Sequence, residues 1–306
     1  MAWQSTVRDP RAARAEAMVL ARSALRWVWL RRGTDVTASM ARSSCLVVAP
    51  HPDDETLGCA VAVIRKRAVG TPVTVVIVSD GSRAEPVTLP PEELVEVRET
   101  ETRRACAVLG VPETDVLFLG FPDSELGGAL DAIALRLAEI IRARRPAQIL
   151  MPASCEGHPD HDATHEAATR AAAAAEFTGQ LLEYTVWLWT HWPWTRGYGT
   201  RDRSVTRLLV EPVRRLREGR PLLVDARGLR DRQRRALAEH VTQVGDGTPA
   251  GAGGPAGAGA AAGGPVDVPV TGSLLATLRS RHEVYVEAGA LRHLDFPRPW
   301  RDAPPK

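Results

Sequence analysis

The amino-acid sequence predicts an α/β fold in which a largely parallel sheet is covered by helices on both faces. Three observations predict it. Uninterrupted apolar runs of strand length recur from Cys45 onward, helical patterns separate them, and the two turns richest in histidine and carboxylate each fall directly after one of those runs. A strand buried on both faces reads as a continuous apolar run, and parallel neighbours need a helical crossover between them.

Taken in order, Met18–Leu30 is moderately apolar but broken by Arg22 and Arg26, and too short to span a bilayer. It reads as a packing helix rather than a membrane-surface one, so residues 1–40 are predicted to be an N-terminal helical extension. No apolar core with a small-residue cleavage site marks a signal peptide there. Cys45-Leu46-Val47-Val48-Ala49 is the first strand, followed by the loop Pro50–Glu55 and a helix from Thr56 to Arg67 that Gly70-Thr71-Pro72 ends. Val73–Val78 is the second strand, closing at the turn Ser79-Asp80-Gly81. Pro90-Pro91-Glu92-Glu93 opens a helix with proline in its first turn and acids near the positive end of the dipole; it runs to Leu109 and stops at Gly110. Val116–Leu119, Leu130–Arg144 and Gln148–Met151 read as strand, helix and strand. Together these predict a Rossmann-like three-layer sandwich forming one domain over residues 41–306.

Past Leu181 the pattern loosens. Leu181–Leu188 is predicted as a strand, leading into Trp187, Trp189, Trp192 and Trp194, which suit either core packing or a pocket wall. The stretch from about 245 to 265 is nearly all Gly, Ala and Pro and is predicted to be a mobile insertion. Leu274–Glu287 is expected to form a last helix, and Pro297–Lys306 a tail. The arginines between Arg214 and Arg235 alternate with acids and apolar residues, as on solvated faces.

Composition bounds the partners. Apolar residues make up 44% and charged residues 25%, and 39 basic against 37 acidic residues give a net charge of +2, so no general affinity for nucleic acid is expected. No integral membrane segment is expected either. Cys45, Cys59 and Cys106 sit in apolar stretches and no C-x-x-C pair occurs, which reads as buried thiols and favours a reducing, cytoplasmic setting.

The chemistry is concentrated in two loops. The first is Pro50-His51-Pro52-Asp53-Asp54-Glu55, a turn stiffened by two prolines that projects an imidazole and two carboxylates within four residues. The second is His158-Pro159-Asp160-His161, with His165 one helical turn later. Both follow predicted strands, and open parallel sheets bind ligands beyond the carboxyl ends of their strands. Two imidazoles and a carboxylate suit a borderline cation such as zinc and leave a position open for water. Asp53 and Asp54 supply one carboxylate for ligation and one for general-base work. Glu55 reads as a cap for the following helix, and His165 as a helix-face residue beside the site.

These motifs, His51-Pro52-Asp53-Asp54-Glu55 and His158-Pro159-Asp160-His161, resemble those of the LmbE-like, or PIG-L, family of N-acetylglucosaminyl deacetylases. The resemblance runs from about Cys45 to Trp189. It extends more weakly to Arg98, Glu101, Ala105 and Leu109-Gly110 on one helix and to Gly120-Phe121-Pro122-Asp123, where the family often has glycine in place of Ser124. The resemblance implies that His51, Asp54 and His161 bind Zn2+, with Fe2+ as the alternative metal. It implies that Asp53 is the general base, that His158 stabilises the oxyanion or protonates the leaving amine, and that Asp160 fixes a histidine tautomer. Arg98 and Asp123 fall at positions that contact sugar hydroxyls. The implied reaction is attack of metal-bound water on the N-acyl group, most readily acetyl, of a small amino-sugar or glucosaminyl conjugate.

Two other classes stay open on the sequence. An amidase of a sugar-thiol or other amide conjugate would use the same ligands. A non-catalytic metal- or nucleotide-binding Rossmann-like protein would not need Asp53 and His158, and a dinucleotide site would place a Gly-rich turn where His-Pro-Asp-Asp stands. Oligomeric state is open.

Overall fold

A computed structural model of the chain describes residues 10–83, 89–154, 156–188, 219–244 and 280–288, with single positions at 210, 213, 216 and 217. The elements are helix α1 (Pro10–Leu30), β1 (Thr34–Asp35), α2 (Thr37–Arg42), β2 (Cys45–Ala49), α3 (Asp54–Ala68), β3 (Val73–Ser79) and α4 (Pro91–Leu109). Then follow β4 (Val116–Phe121), α5 (Leu130–Arg144), β5 (Gln148–Pro152), α6 (Pro159–Ala174), β6 (Gln180–Tyr184), β7 (Leu222–Asp225), α7 (Arg230–Ala238), α8 (Val241–Val244) and β8 (His282–Glu287).

One eight-stranded sheet carries the order β1-β7-β8-β6-β5-β2-β3-β4. The five strands β6-β5-β2-β3-β4 pair in parallel, as do β1 and β7, while β8 runs antiparallel to both β6 and β7. The α/β class with a mostly parallel sheet is as the sequence predicts. Alternation within the apolar runs assigns the layers. Val47, Ala49, Val75, Ile77 and Leu150 face α3, α4 and α7, whereas Leu46, Val48, Val76, Val78 and Met151 face α5 and α6. Trp29 of α1, fully buried, packs with Leu223, Val284 and Val286 on the antiparallel half. Helix α4 ends where Gly110 adopts φ 93°, a left-handed conformation that a β-carbon would disfavour. No helix of the described residues is long and apolar enough to cross a membrane.

The expected helix over Leu274–Glu287 is corrected. His282–Glu287 is a strand inserted between β6 and β7, and residues 274–279 lie outside the described residues. Its Glu283 and Tyr285 face α3 while Val284 and Val286 face Trp29, a period of two that is stabilising only when both neighbouring strands are present. The strand expected over Leu181–Leu188 ends at Tyr184, because the backbone N–H groups of Val186, Trp187 and Leu188 turn to the carboxylate of Glu156 instead of a neighbouring strand. Trp189, Trp192 and Trp194, the 245–265 insertion and the Pro297–Lys306 tail fall outside the described residues, as do most of the arginines between 214 and 218.

Candidate metal centre

The two loops meet at the carboxyl ends of β2 and β5, which lie side by side in the sheet. Asp54 opens α3, and His161 sits in the first turn of α6, so each helix start aims one ligand-type side chain at the same point. Asp54 Oδ2 lies 3.2 Å from His51 Nδ1 and 3.2 Å from His161 Nε2. The His51 backbone N–H also donates to Asp54 Oδ2, at 3.1 Å. His51, Asp54 and His161 therefore form a group whose ligand atoms all lie within 4.8 Å of one another. Their rings and that of His158 cluster, with His158 centroids 5.1 Å from both His51 and His161.

The arrangement fits a divalent cation on its own geometry. His161 is fully buried, yet neither ring nitrogen makes a well-directed hydrogen bond among the described residues, although Nε2 lies 3.2 Å from Asp54 Oδ2. A buried polar atom without a partner is costly unless something else satisfies it. The carboxylates around the centre also select which atoms are free. His51 Nε2 faces Asp160 Oδ2 at 3.2 Å and Asp123 Oδ1 at 3.5 Å, so that nitrogen keeps its proton, and Nδ1, toward Asp54, is the one that would give up its proton to a cation. His161 Nδ1 faces Glu156 Oε2 at 3.7 Å, which leaves Nε2 toward Asp54.

The electrostatics follow. Burial works against the charge of Asp54, but His161 and His51 hold its carboxyl well below the usual range. Burial likewise disfavours a charged His51, but Asp123, Asp160 and Asp54 hold its pKa well above the ordinary value. Asp123 is brought down to about 2, since His51, the Arg83 amide and Arg98 outweigh its burial. His158 is lowered to about 4 by burial and by its two histidine neighbours, which leaves a neutral ring at pH 7.

Asp53 stands apart. It precedes α3 with φ 113° and ψ −26°, and its side chain makes no capping hydrogen bond to the helix. A non-glycine residue so placed stores about 1–3 kcal/mol of strain, a pattern that concentrates at functional sites. Burial and the charge of Asp54 push its carboxyl up to about 7.

Several sequence expectations gain definite geometry. Arg98 is 3% exposed rather than solvated, and its Nη1 donates to the Gly81 carbonyl at 2.5 Å. Gly81 suits this position, being at φ 67° with the Arg98 guanidinium 2.5 Å from where a β-carbon would lie. Asp123 is buried against His51, and Ser124 adopts φ 66°, where glycine would be free of strain, while donating its N–H to Asp160 at 2.8 Å. His165 donates Nδ1–H to the Pro152 carbonyl at 3.0 Å on the helix flank.

Two residues escaped the sequence reading. Glu156 is fully buried and pushed up to about 8 by burial, although it accepts the N–H groups of Trp187, Val186 and Leu188. Its only sequence signal is a carboxylate two positions before His158. His240 is fully buried with Nε2 3.1 Å from Glu55 Oε1, and a lone histidine in an arginine-rich stretch carries no signal at all.

The family model described as PIG-L, GlcNAc-PI de-N-acetylase, matches residues 46–172. The chain is 31% identical over 243 residues to the 1D-myo-inositol 2-acetamido-2-deoxy-alpha-D-glucopyranoside deacetylase of Thermobifida fusca, an alignment covering 65% of this chain and 82% of that protein. It is 31% identical over 137 residues to the probable N-acetyl-alpha-D-glucosaminyl L-malate deacetylase 2 of Bacillus anthracis, over 42% of this chain and 58% of that one. Among solved structures, the N,N'-diacetylchitobiose deacetylase of Pyrococcus horikoshii is similar with a TM-score of 0.53 at 19% identity, covering 79% of this chain and 82% of that chain, a likeness of fold.

Proposed function

This chain belongs to the PIG-L family, and on that premise we propose that it is a zinc-dependent hydrolase that removes the N-acetyl group from a glucosaminyl conjugate. The observation that carries the reading is the division of labour at the start of α3. Asp54 is committed to two histidines, while the adjacent Asp53 is turned away from the helix cap and its carboxyl is raised to about 7. The relatives named above act on two different glucosaminyl conjugates, which supports the sugar and leaves the aglycone to experiment.

His51 Nδ1, Asp54 and His161 Nε2 would hold the cation; zinc suits that donor set, with iron(II) as the alternative. When bound, it polarises the acyl oxygen and makes a coordinated water acidic enough to react near neutral pH. Asp53 takes the proton from the attacking water and returns it to the nitrogen as the carbon–nitrogen bond breaks, so that acetate and a free amine leave. The neutral ring of His158 donates an N–H to the acyl oxygen as it gains charge. Asp160 holds the proton of His51 on Nε2, and Glu156, 3.7 Å from His161 Nδ1, is the carboxyl group on the far side of that ring. Arg98 and Asp123, on the same side of the sheet edge, are the groups proposed to meet sugar hydroxyls.

The test is acetate release from a panel of N-acetylglucosamine conjugates, run with bound metal quantified. Wild type should carry about one metal per chain and lose activity on chelation, and Asp53→Asn should retain metal while losing at least ~100-fold in kcat. Metal binding without acetate release from any conjugate would sink the substrate assignment and favour amide cleavage in another class of conjugate. Absence of metal together with an unaffected His51→Ala variant would overturn the centre itself.

A further inference from the structure

We infer that His240 is a positioning residue for Asp53, acting through Glu55; the inference rests on the deacetylase reading of Asp53 given above. Aspartate in front of a helix ordinarily turns its own carboxylate onto the first free N–H groups of that helix. Asp53 does not, although its carbonyl accepts from Thr56 and Leu57 N–H at 3.0 and 2.9 Å as a helix start requires. The capping work has passed to Glu55. Glu55 Oε2 accepts the Asp53 backbone N–H at 3.0 Å, which pins the peptide of Asp53 in its left-handed conformation and frees the side chain for chemistry.

Glu55 can do this only as a fixed carboxylate, and it is fully buried. Its Oε1 accepts from Thr56 Oγ1 at 2.6 Å and from His240 Nε2 at 3.1 Å. A buried carboxylate stays in place when it is hydrogen-bonded on every side, and His240 is the donor that reaches it from outside its own helix. His240 is itself fully buried, and its Nδ1 has no hydrogen-bond partner among the described residues, so the ring's one directed bond is to Glu55. Its position is set on both sides. Thr242 donates its N–H and Oγ1 to Glu101 at 2.9 and 2.6 Å, and Gln233 Nε2 donates to the Thr56 carbonyl at 2.9 Å. His240, Thr242 and Gln233 all lie beyond the 46–172 stretch that the family model matches, so the C-terminal part of the chain sets the attitude of a residue in its first motif.

The test uses the full-length, zinc-loaded protein with His240→Phe, which keeps bulk and removes the donor, and His240→Gln, which keeps a donor of similar reach. Three readouts are taken at 25 °C on samples shown to be folded. These are kcat and KM with N-acetylglucosaminyl-inositol, zinc affinity by competition with a chromogenic chelator, and urea unfolding. His240→Phe should lose at least ~10-fold in kcat with KM within about 2-fold, and zinc affinity should weaken by up to ~10-fold because the same turn carries His51 and Asp54. His240→Gln should recover most of both. The double variant Glu55→Gln/His240→Phe should be no worse than the poorer single variant, as expected of residues acting in series. A folded His240→Phe with unchanged kcat and zinc affinity overturns the inference, and so does a loss that His240→Gln fails to repair. Should His240→Phe not fold, His240→Asn, too short to reach Glu55, takes its place with the same expectations. If wild type releases no acetate, the deacetylase reading fails on its own, and the zinc affinities of the Phe and Gln variants still decide the positioning role.

Discussion

Replacing Gly58 by alanine should destabilise this protein, although helix propensity alone predicts the reverse. Gly58 lies inside α3, one turn after Asp54, against the ring of Tyr184 on β6. A β-carbon there would sit 2.3 Å from Tyr184 Cδ2 and 2.7 Å from Cε2, whereas ordinary contact begins near 3.4 Å, so about 1 Å of separation must open. The ring has little freedom to yield, being fully buried with its hydroxyl donating to the Val48 carbonyl at 3.0 Å. Exchanging glycine for alanine in a helix gains about 0.5–1 kcal/mol, overpacking a core costs about 1–3 kcal/mol, and loss of the hydroxyl bond would add ~1 kcal/mol. The expected net is a loss of about 1–3 kcal/mol, read by urea unfolding of the apo protein. Gly128→Ala, whose added methyl would meet nothing within 4 Å, is the control and should be near neutral. In a Tyr184→Phe background, where the ring is no longer tethered, Gly58→Ala should cost less. A neutral or stabilised Gly58→Ala would refute the packing argument, because it would mean that α3 and β6 separate freely at the point that sets the start of the helix.

Three further outcomes are expected. Lys66→Met should lose about 2–4 kcal/mol, since the buried ammonium donates to the Met40 and Ser43 carbonyls at 2.6 Å each and to Gln148 at 2.7 Å; a denaturation midpoint equal to wild type would show those acceptors finding other partners. Glu156→Gln keeps an acceptor for the backbone of residues 186–188 but puts an amide in place of the carboxyl group facing His161, and zinc affinity should fall ~10–100-fold, measured by chelator competition. Unchanged affinity would mean that His161 needs no orienting carboxylate. Glu283→Leu strips the acceptor from the Val61 and Ala62 N–H groups and from the Tyr285 hydroxyl and should cost about 2–4 kcal/mol by urea unfolding. A stabilised variant would show that desolvating this carboxyl outweighs its three hydrogen bonds.

The sequence by itself determined what depends on neighbours along the chain. Buried parallel strands such as Cys45–Ala49 and Val73–Ser79 must be apolar throughout, and Pro90-Pro91 and Gly110 mark helix ends through their own backbone restrictions, so these elements were legible. His51 with Asp54, and His158 with His161, were legible because stiff turns keep chemically related groups a few residues apart. The tertiary structure alone decided which atoms those groups present to one another. Asp160 fixes His51 from 109 positions away, and His240 reaches Glu55 from 185 positions away, and no local pattern encodes either contact. The strand His282–Glu287 was misread for the same reason. Its alternation of Glu283 and Tyr285 with Val284 and Val286 acquires meaning only between β6 and β7, where pairing on both edges supplies hydrogen bonds that the segment cannot make alone.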